Sequence, residues 1–88
     1  MLVSVTVSAQ LYKIKGTVYD STRNFPMEAV SVLSTSGAGT ITNSDGQYEI
    51  EVKEKDSIWF SYLNKPTKKF AVLQIANPFA FDISIQVS

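Results

Sequence analysis

At 88 residues the chain has room for one core, because a domain of this size buries only about 60% of the surface its unfolded chain exposes. Its apolar content of 44% excludes compositional disorder, and eight Lys and Arg against eight Asp and Glu give zero net charge, which sets nucleic acid aside as a partner. With no Cys and no His there is no disulfide framework, no thiolate, and neither the commonest general base nor the commonest metal ligand of neutral pH.

Residues 1–10, MLVSVTVSAQ, support two expectations. Val7-Ser8-Ala9 before Gln10 fits the small-residue pattern of a signal-peptidase site below an apolar stretch that starts at Leu2, which makes the segment a signal-peptide remnant. Val3, Val5 and Val7 also alternate with Ser4, Thr6 and Ser8, so a retained segment would serve as an extra edge strand. No apolar run approaches the roughly 20 residues that span a bilayer. Residues 11–88 are expected to form one domain.

From Leu11 to Tyr19, Tyr12, Ile14, Gly16 and Val18 share one face and Lys13, Lys15 and Thr17 the other, the period of a strand. Asp20 to Asn24 ends it with turn-forming side chains, and Pro26 keeps Phe25 extended. A second strand is expected over Ala29–Ser34 and a short third over Thr40–Thr42. Asn43-Ser44-Asp45-Gly46 then supplies the residues of a tight hairpin into Gln47–Lys53. There Tyr48, Ile50 and Val52 alternate with Gln47, Glu49 and Glu51, so one face is core and the other wet.

The run Ser57–Leu63 is apolar in both phases, which predicts a central strand covered on both sides. Asn64-Lys65-Pro66 is read as a turn into Lys68–Leu73, and Asn77-Pro78 as a turn into a last strand carrying Phe79, Phe81, Ile83, Ile85 and Val87. The best helical candidate, Val72–Ala76, is barely one turn. About seven short strands punctuated by turns predict an all-β, antiparallel Greek-key sandwich.

The stretches Lys13-Ile14-Lys15-Gly16-Thr17-Val18-Tyr19-Asp20, Ala29-Val30-Ser31-Val32, Gly39 to Ile50 and Ile58 to Tyr62, with a loop centred on Pro26, resemble the carboxypeptidase regulatory-like domain of exported Bacteroidetes-type proteins. That family's pattern runs I-x-G-x-V-x-D, P-x-x-x-V-x-V, G-x-x-T-x-x-D-G-x-Y/F, and the similarity covers roughly residues 13–73. The resemblance implies a prealbumin-like or immunoglobulin-like sandwich without catalytic residues. It also implies an accessory module of a longer envelope protein, in some cases the N-terminal extension of a TonB-dependent outer-membrane receptor. Leu63-Asn64-Lys65-Pro66 stands where the family usually has Gly-Tyr, which sets the chain apart from the receptor subgroup and suits a stand-alone or truncated envelope protein.

No catalytic residue, cofactor or metal is expected. Asp20 and Asp45 are carboxylates near turns, the kind of ligand calcium takes, but neither belongs to a spaced acidic run and Asp is an ordinary turn residue. Lys65, Lys68 and Lys69 form a basic cluster suited to an acidic partner or lipid A phosphates, but three lysines beside a Pro are expected first to guard a solvated strand edge. Trp59 is out of phase with Ile58, Phe60 and Tyr62, which sets it on the opposite face: in so apolar a strand the leading expectation is a residue packed in the core or under a loop, and the alternative is an exposed indole that stacks on a sugar or anchors a protein. The candidate binding surface is therefore Trp59, Tyr62, Lys65, Lys68 and Lys69. A strand-only chain this short is expected to leave little room for a cleft of about 300 Å³ or more.

Two functions follow as expectations. One is a structural or interaction module contacting a neighbouring domain or envelope protein, in the periplasm, at the outer membrane or outside the cell. The other is a module for glycans or extended peptides. Unpaired strand edges also allow edge-to-edge association of copies.

Overall fold

The alternating run Leu11–Tyr19 forms the first strand, β1, of a computed structural model that describes residues 11–85. The expectations for residues 1–10 and for Val87 lie outside the described residues. β1 pairs antiparallel with β4, Gln47–Lys53, so that Tyr12 faces Val52, Ile14 faces Ile50 and Gly16 faces Tyr48. These pairs point into the core, while Lys13↔Glu51, Lys15↔Glu49 and Thr17↔Gln47 point to solvent, the division the alternation requires.

A second sheet is built from β2 (Ser31–Ser34), β3 (Gly39–Ile41), β5 (Ser57–Tyr62), β6 (Lys65–Pro66) and β7 (Phe70–Ala71). Its order is β3-β2-β5-β6, with β7 pairing the start of β5. The Ser57–Tyr62 strand is therefore central, as its composition predicts. Its two faces differ: Ile58 and Phe60 are fully buried, whereas Trp59 on the other face is half-buried. The last strand, β8 (Ile83–Ser84), returns to the first sheet, whose order is β4-β1-β8.

The protein is all-β, and the two sheets share one core of Ile14, Val18, Tyr48, Ile50 and Val52 from the smaller sheet with Val32, Ile58 and Phe60 from the larger, joined by Val30, Val72 and Ile85. No helix among the described residues is long and apolar enough to cross a membrane.

Six expectations are corrected in detail. The second strand starts at Ser31 because Ala29 adopts a left-handed conformation, φ 64°, which no strand accommodates. The third strand spans Gly39–Ile41, and the loop after it is not a hairpin, since β3 pairs with β2 and β4 with β1. Asn43 closes that loop with its side chain: Oδ1 accepts the N–H groups of Asp45 (2.9 Å) and Gln47 (3.0 Å), an Asx arrangement that reverses the chain without a ladder.

The turn after β5 is Leu63-Asn64, both at positive φ (51° and 64°), and Lys65-Pro66 already belong to β6. Pro66 fits because β6 lies at the sheet's edge. Pro78–Ala80 is a 3₁₀ turn, so the final strand shrinks to Ile83–Ser84. Finally, β8 runs parallel to β1, with Val18 opposite Ile83, so the smaller sheet is mixed rather than antiparallel. A second 3₁₀ turn, Val72–Gln74, falls where the single helical candidate was read.

Candidate functional site

Trp59 reaches the outer face of the larger sheet because β5 alternates, and Leu33 lies directly across from it on β2. The far side of the indole meets Lys69, whose ammonium sits 4.9 Å from the ring centroid, within cation–π range. Thr67 sets up that contact. Its N–H donates to the carbonyl of Phe60 (2.7 Å), while its hydroxyl oxygen, instead of its backbone carbonyl, accepts the N–H of Phe60 (3.1 Å). The same hydroxyl donates to the carbonyl of Lys68 (2.9 Å). The ladder is thereby interrupted between β6 and β7, and the two lysines leave it in different directions: Lys69 to Trp59, Lys68 to the ring of Phe70 at 5.4 Å.

The structure thus brings Trp59 and Lys69 together and separates them from Tyr62. Tyr62 occupies the other phase of β5 and packs against the core, so it adds nothing to an indole platform. Lys65 stands opposite Tyr62 across the hairpin and is exposed.

Beside β7 a cleft of about 390 Å³ opens, lined by Lys68, Lys69, Phe70, Gln74, Phe81 and Asp82 among others. Phe70 and Phe81 meet edge to face at 5.3 Å, and Phe60 contacts both, edge to face with Phe70 at 6.1 Å and tilted against Phe81 at 6.3 Å, while Tyr48 meets Phe60 edge to face at 5.2 Å. A second groove of about 580 Å³ crosses the smaller sheet. Both exceed the size expected of a strand-only chain, because the segment after β7 does not close the sandwich as a regular strand but turns twice, leaving space beside β7 and over β1. Phe70 and Phe81 had no signal in the sequence as site residues: each reads as one apolar position in a strand, and only the long-range pairing of their segments makes a cleft.

No family model matches this chain, and no curated protein matches it.

The polar groups held in or near the core are committed to the fold. Buried Asp56 accepts from the Ser36 hydroxyl (2.6 Å), the Lys53 N–H (2.8 Å) and the Thr35 hydroxyl (3.3 Å); burial works to raise its pKa, but these bonds outweigh it and hold the carboxyl below its ordinary value. Buried Thr42 donates to the carbonyl of Met27 (2.7 Å) and accepts the N–H of Val30 (2.9 Å). Tyr48 donates to the carbonyl of Phe81 (2.6 Å), and burial, helped by the charge of Asp82, pushes its phenol well above the usual range. Of the two turn carboxylates, Asp20 accepts the hydroxyl (2.7 Å) and N–H (3.2 Å) of Thr22, and the hydroxyl bond leads in lowering its pKa. At Asp45 the backbone N–H is held by Asn43. Among the described residues no three acidic side chains gather as a metal would need.

Proposed function

We propose that this chain is a non-catalytic interaction module, of the carboxypeptidase regulatory-like kind and with that family's immunoglobulin-like or prealbumin-like Greek-key topology, belonging to an exported cell-envelope protein. One observation carries the reading: a half-buried indole, capped by the Lys69 ammonium, lies on the outer face of the larger sheet beside a cleft with an aromatic base. Trp with aromatic neighbours is the composition that concentrates binding energy at interfaces. The commitment of Asp56, Thr42 and Tyr48 to hydrogen bonds within the fold supports a non-catalytic role, since catalysis needs a perturbed group with free valence facing a substrate. Gly16 within β1 and the Asp45-Gly46 turn support the family, and the segment Val7-Ser8-Ala9 supports export.

The test is a photo-reactive amino acid placed at Trp59, and separately at Glu51 on the other sheet, in the protein expressed in its native host with envelope and cytoplasm fractionated. A defined envelope-protein adduct from position 59 alone is expected. Equal labelling from both positions, or recovery of the chain only in the cytoplasm, would overturn the proposal.

A further inference from the structure

The outer face of the smaller sheet carries a second site, independent of Trp59. Its floor is made by two rungs of the β1–β4 ladder, Lys15↔Glu49 and Thr17↔Gln47. Its walls are Ile41 on β3 and Phe79 on the 3₁₀ turn Pro78–Ala80, two apolar side chains left 64% and 65% exposed on opposite sides of a polar floor. The volume, about 580 Å³, falls in the range of ligand clefts, roughly 300–1,000 Å³.

The chemistry of the floor selects among ligand classes. An anion finds no spare cation there, since the Lys15 ammonium lies 3.7 Å from the Glu49 carboxylate and Asp82 adds negative charge at one end. A cation finds too little negative charge, because both Glu49 oxygens already face lysines, the second being Lys13 at 3.5 Å. An extended peptide would need open backbone groups along β4. The outward ones at its two ends are taken, those of Gln47 by Asn43 (3.0 Å each) and the N–H of Lys53 by Asp56, so only Glu49 and Glu51 between them are left, too short a run for a strand to add. What remains are side-chain donors and acceptors side by side: the Thr17 hydroxyl, the Gln47 amide, a carboxylate and an ammonium. Above them stands an aromatic ring.

We propose that this groove binds a neutral oligosaccharide, whose hydroxyls both donate and accept along the floor and whose C–H face lies on Phe79. The Gln47 amide oxygen accepts from the Asn43 amide at 3.4 Å, which leaves its NH₂ to donate to a sugar hydroxyl.

The test is a titration of the ¹⁵N-labelled chain with cellohexaose, maltohexaose and N-acetylchitohexaose, following backbone amides. Saturable shifts at residues 15–17, 47–49 and 79 are expected with one of them, at a Kd of about 1 mM or tighter. Phe79→Ala and Gln47→Ala should each weaken binding about tenfold while amide dispersion stays native, and Trp59→Ala should leave it unchanged. No saturable shift with any of the three sugars, shifts that map to Trp59 and Lys69 instead, or unchanged affinity in Phe79→Ala would each overturn the proposal. Loss of the sugar site would leave the Trp59 surface untouched, and the reverse holds.

Discussion

The hydroxyl of Tyr48 donates to the carbonyl of Phe81 directly above Gly16, at the one point of β1 where no side chain stands between the strand and the returning C-terminal segment. A Cβ on Gly16 would overlap that carbonyl oxygen. The segment is fixed on either side by the Phe81 N–H to the Lys15 carbonyl (2.8 Å) and the Thr17 N–H to the Asp82 carboxylate (2.8 Å).

Gly16→Ala should therefore cost about 2–3 kcal/mol, as overpacking against backbone does, and should free residues 81–85 from hydrogen-exchange protection while β4 keeps its own. Tyr48→Phe should cost about 1–2 kcal/mol, the loss of one buried bond with its acceptor left unpaired. The raised phenol pKa adds a pH signature. A group protonated more tightly when folded stabilises fully below its unfolded value near 10 and progressively less above it. Wild-type stability should then fall above pH 10 more steeply than that of Tyr48→Phe. Parallel curves would refute the buried phenol.

Asp56 ties the Ser34–Ser36 bend to the end of β4. Its depressed pKa means that its contribution is fully present above the unfolded carboxyl value near 3.8 and is lost as pH falls from there through the lower folded value. Urea midpoints of wild type and Asp56→Asn should differ at pH 7 and converge below pH 3.8. Asp56→Ala should cost about 2–3 kcal/mol at pH 7, since the Lys53 N–H and Ser36 hydroxyl lose their acceptor.

Leu63 and Asn64 form a two-residue hairpin turn with both φ values positive, the type I′ signature, which Asn-Gly satisfies without strain. Leu63 is 71% exposed and contributes little packing. The double change Leu63→Asn with Asn64→Gly should raise stability by about 0.5–1 kcal/mol, read from thermal or urea unfolding. A loss of stability would show that Leu63 makes contacts beyond the turn.

Trp59 is the single tryptophan, so emission reports its environment alone. Lys69→Ala should expose the outer side of the ring, red-shift emission and increase quenching by acrylamide, with a stability change of about 1 kcal/mol or less. Unaltered quenching would mean that Lys69 does not cover the indole.

The strand phases were legible from the sequence because side-chain alternation is a local property: Ile14 and Val18 inward with Lys13 and Lys15 outward, Tyr48, Ile50 and Val52 inward with the glutamates outward, and Trp59 opposite Ile58 and Phe60. Part of the candidate site was legible for the same reason, since Trp59 is out of phase with Ile58 and Phe60, although so apolar a strand favoured a covered indole over the half-exposed one observed. Its partner was not. Lys65, Lys68 and Lys69 look alike in sequence, and only the Thr67 hydroxyl, replacing a ladder carbonyl against Phe60, decides that Lys69 reaches the indole.

The loop Asn43–Gly46 shows the same division. Its residues announce a sharp reversal, and Gly46 does adopt φ 73°, with Pro26, Val18 and Met27 so close that a side chain would collide. Whether the reversal makes a hairpin or passes from one sheet to the other depends on distant groups. Thr42 is bound to Met27 and Val30, and the Gly46 carbonyl to the Val18 N–H at 2.8 Å. Local alternation thus determined which side of each strand is buried. Only the tertiary structure decided which strands pair, that β8 runs parallel to β1, and where the two grooves lie, because each depends on hydrogen bonds between residues far apart in the chain, to which no local pattern is sensitive.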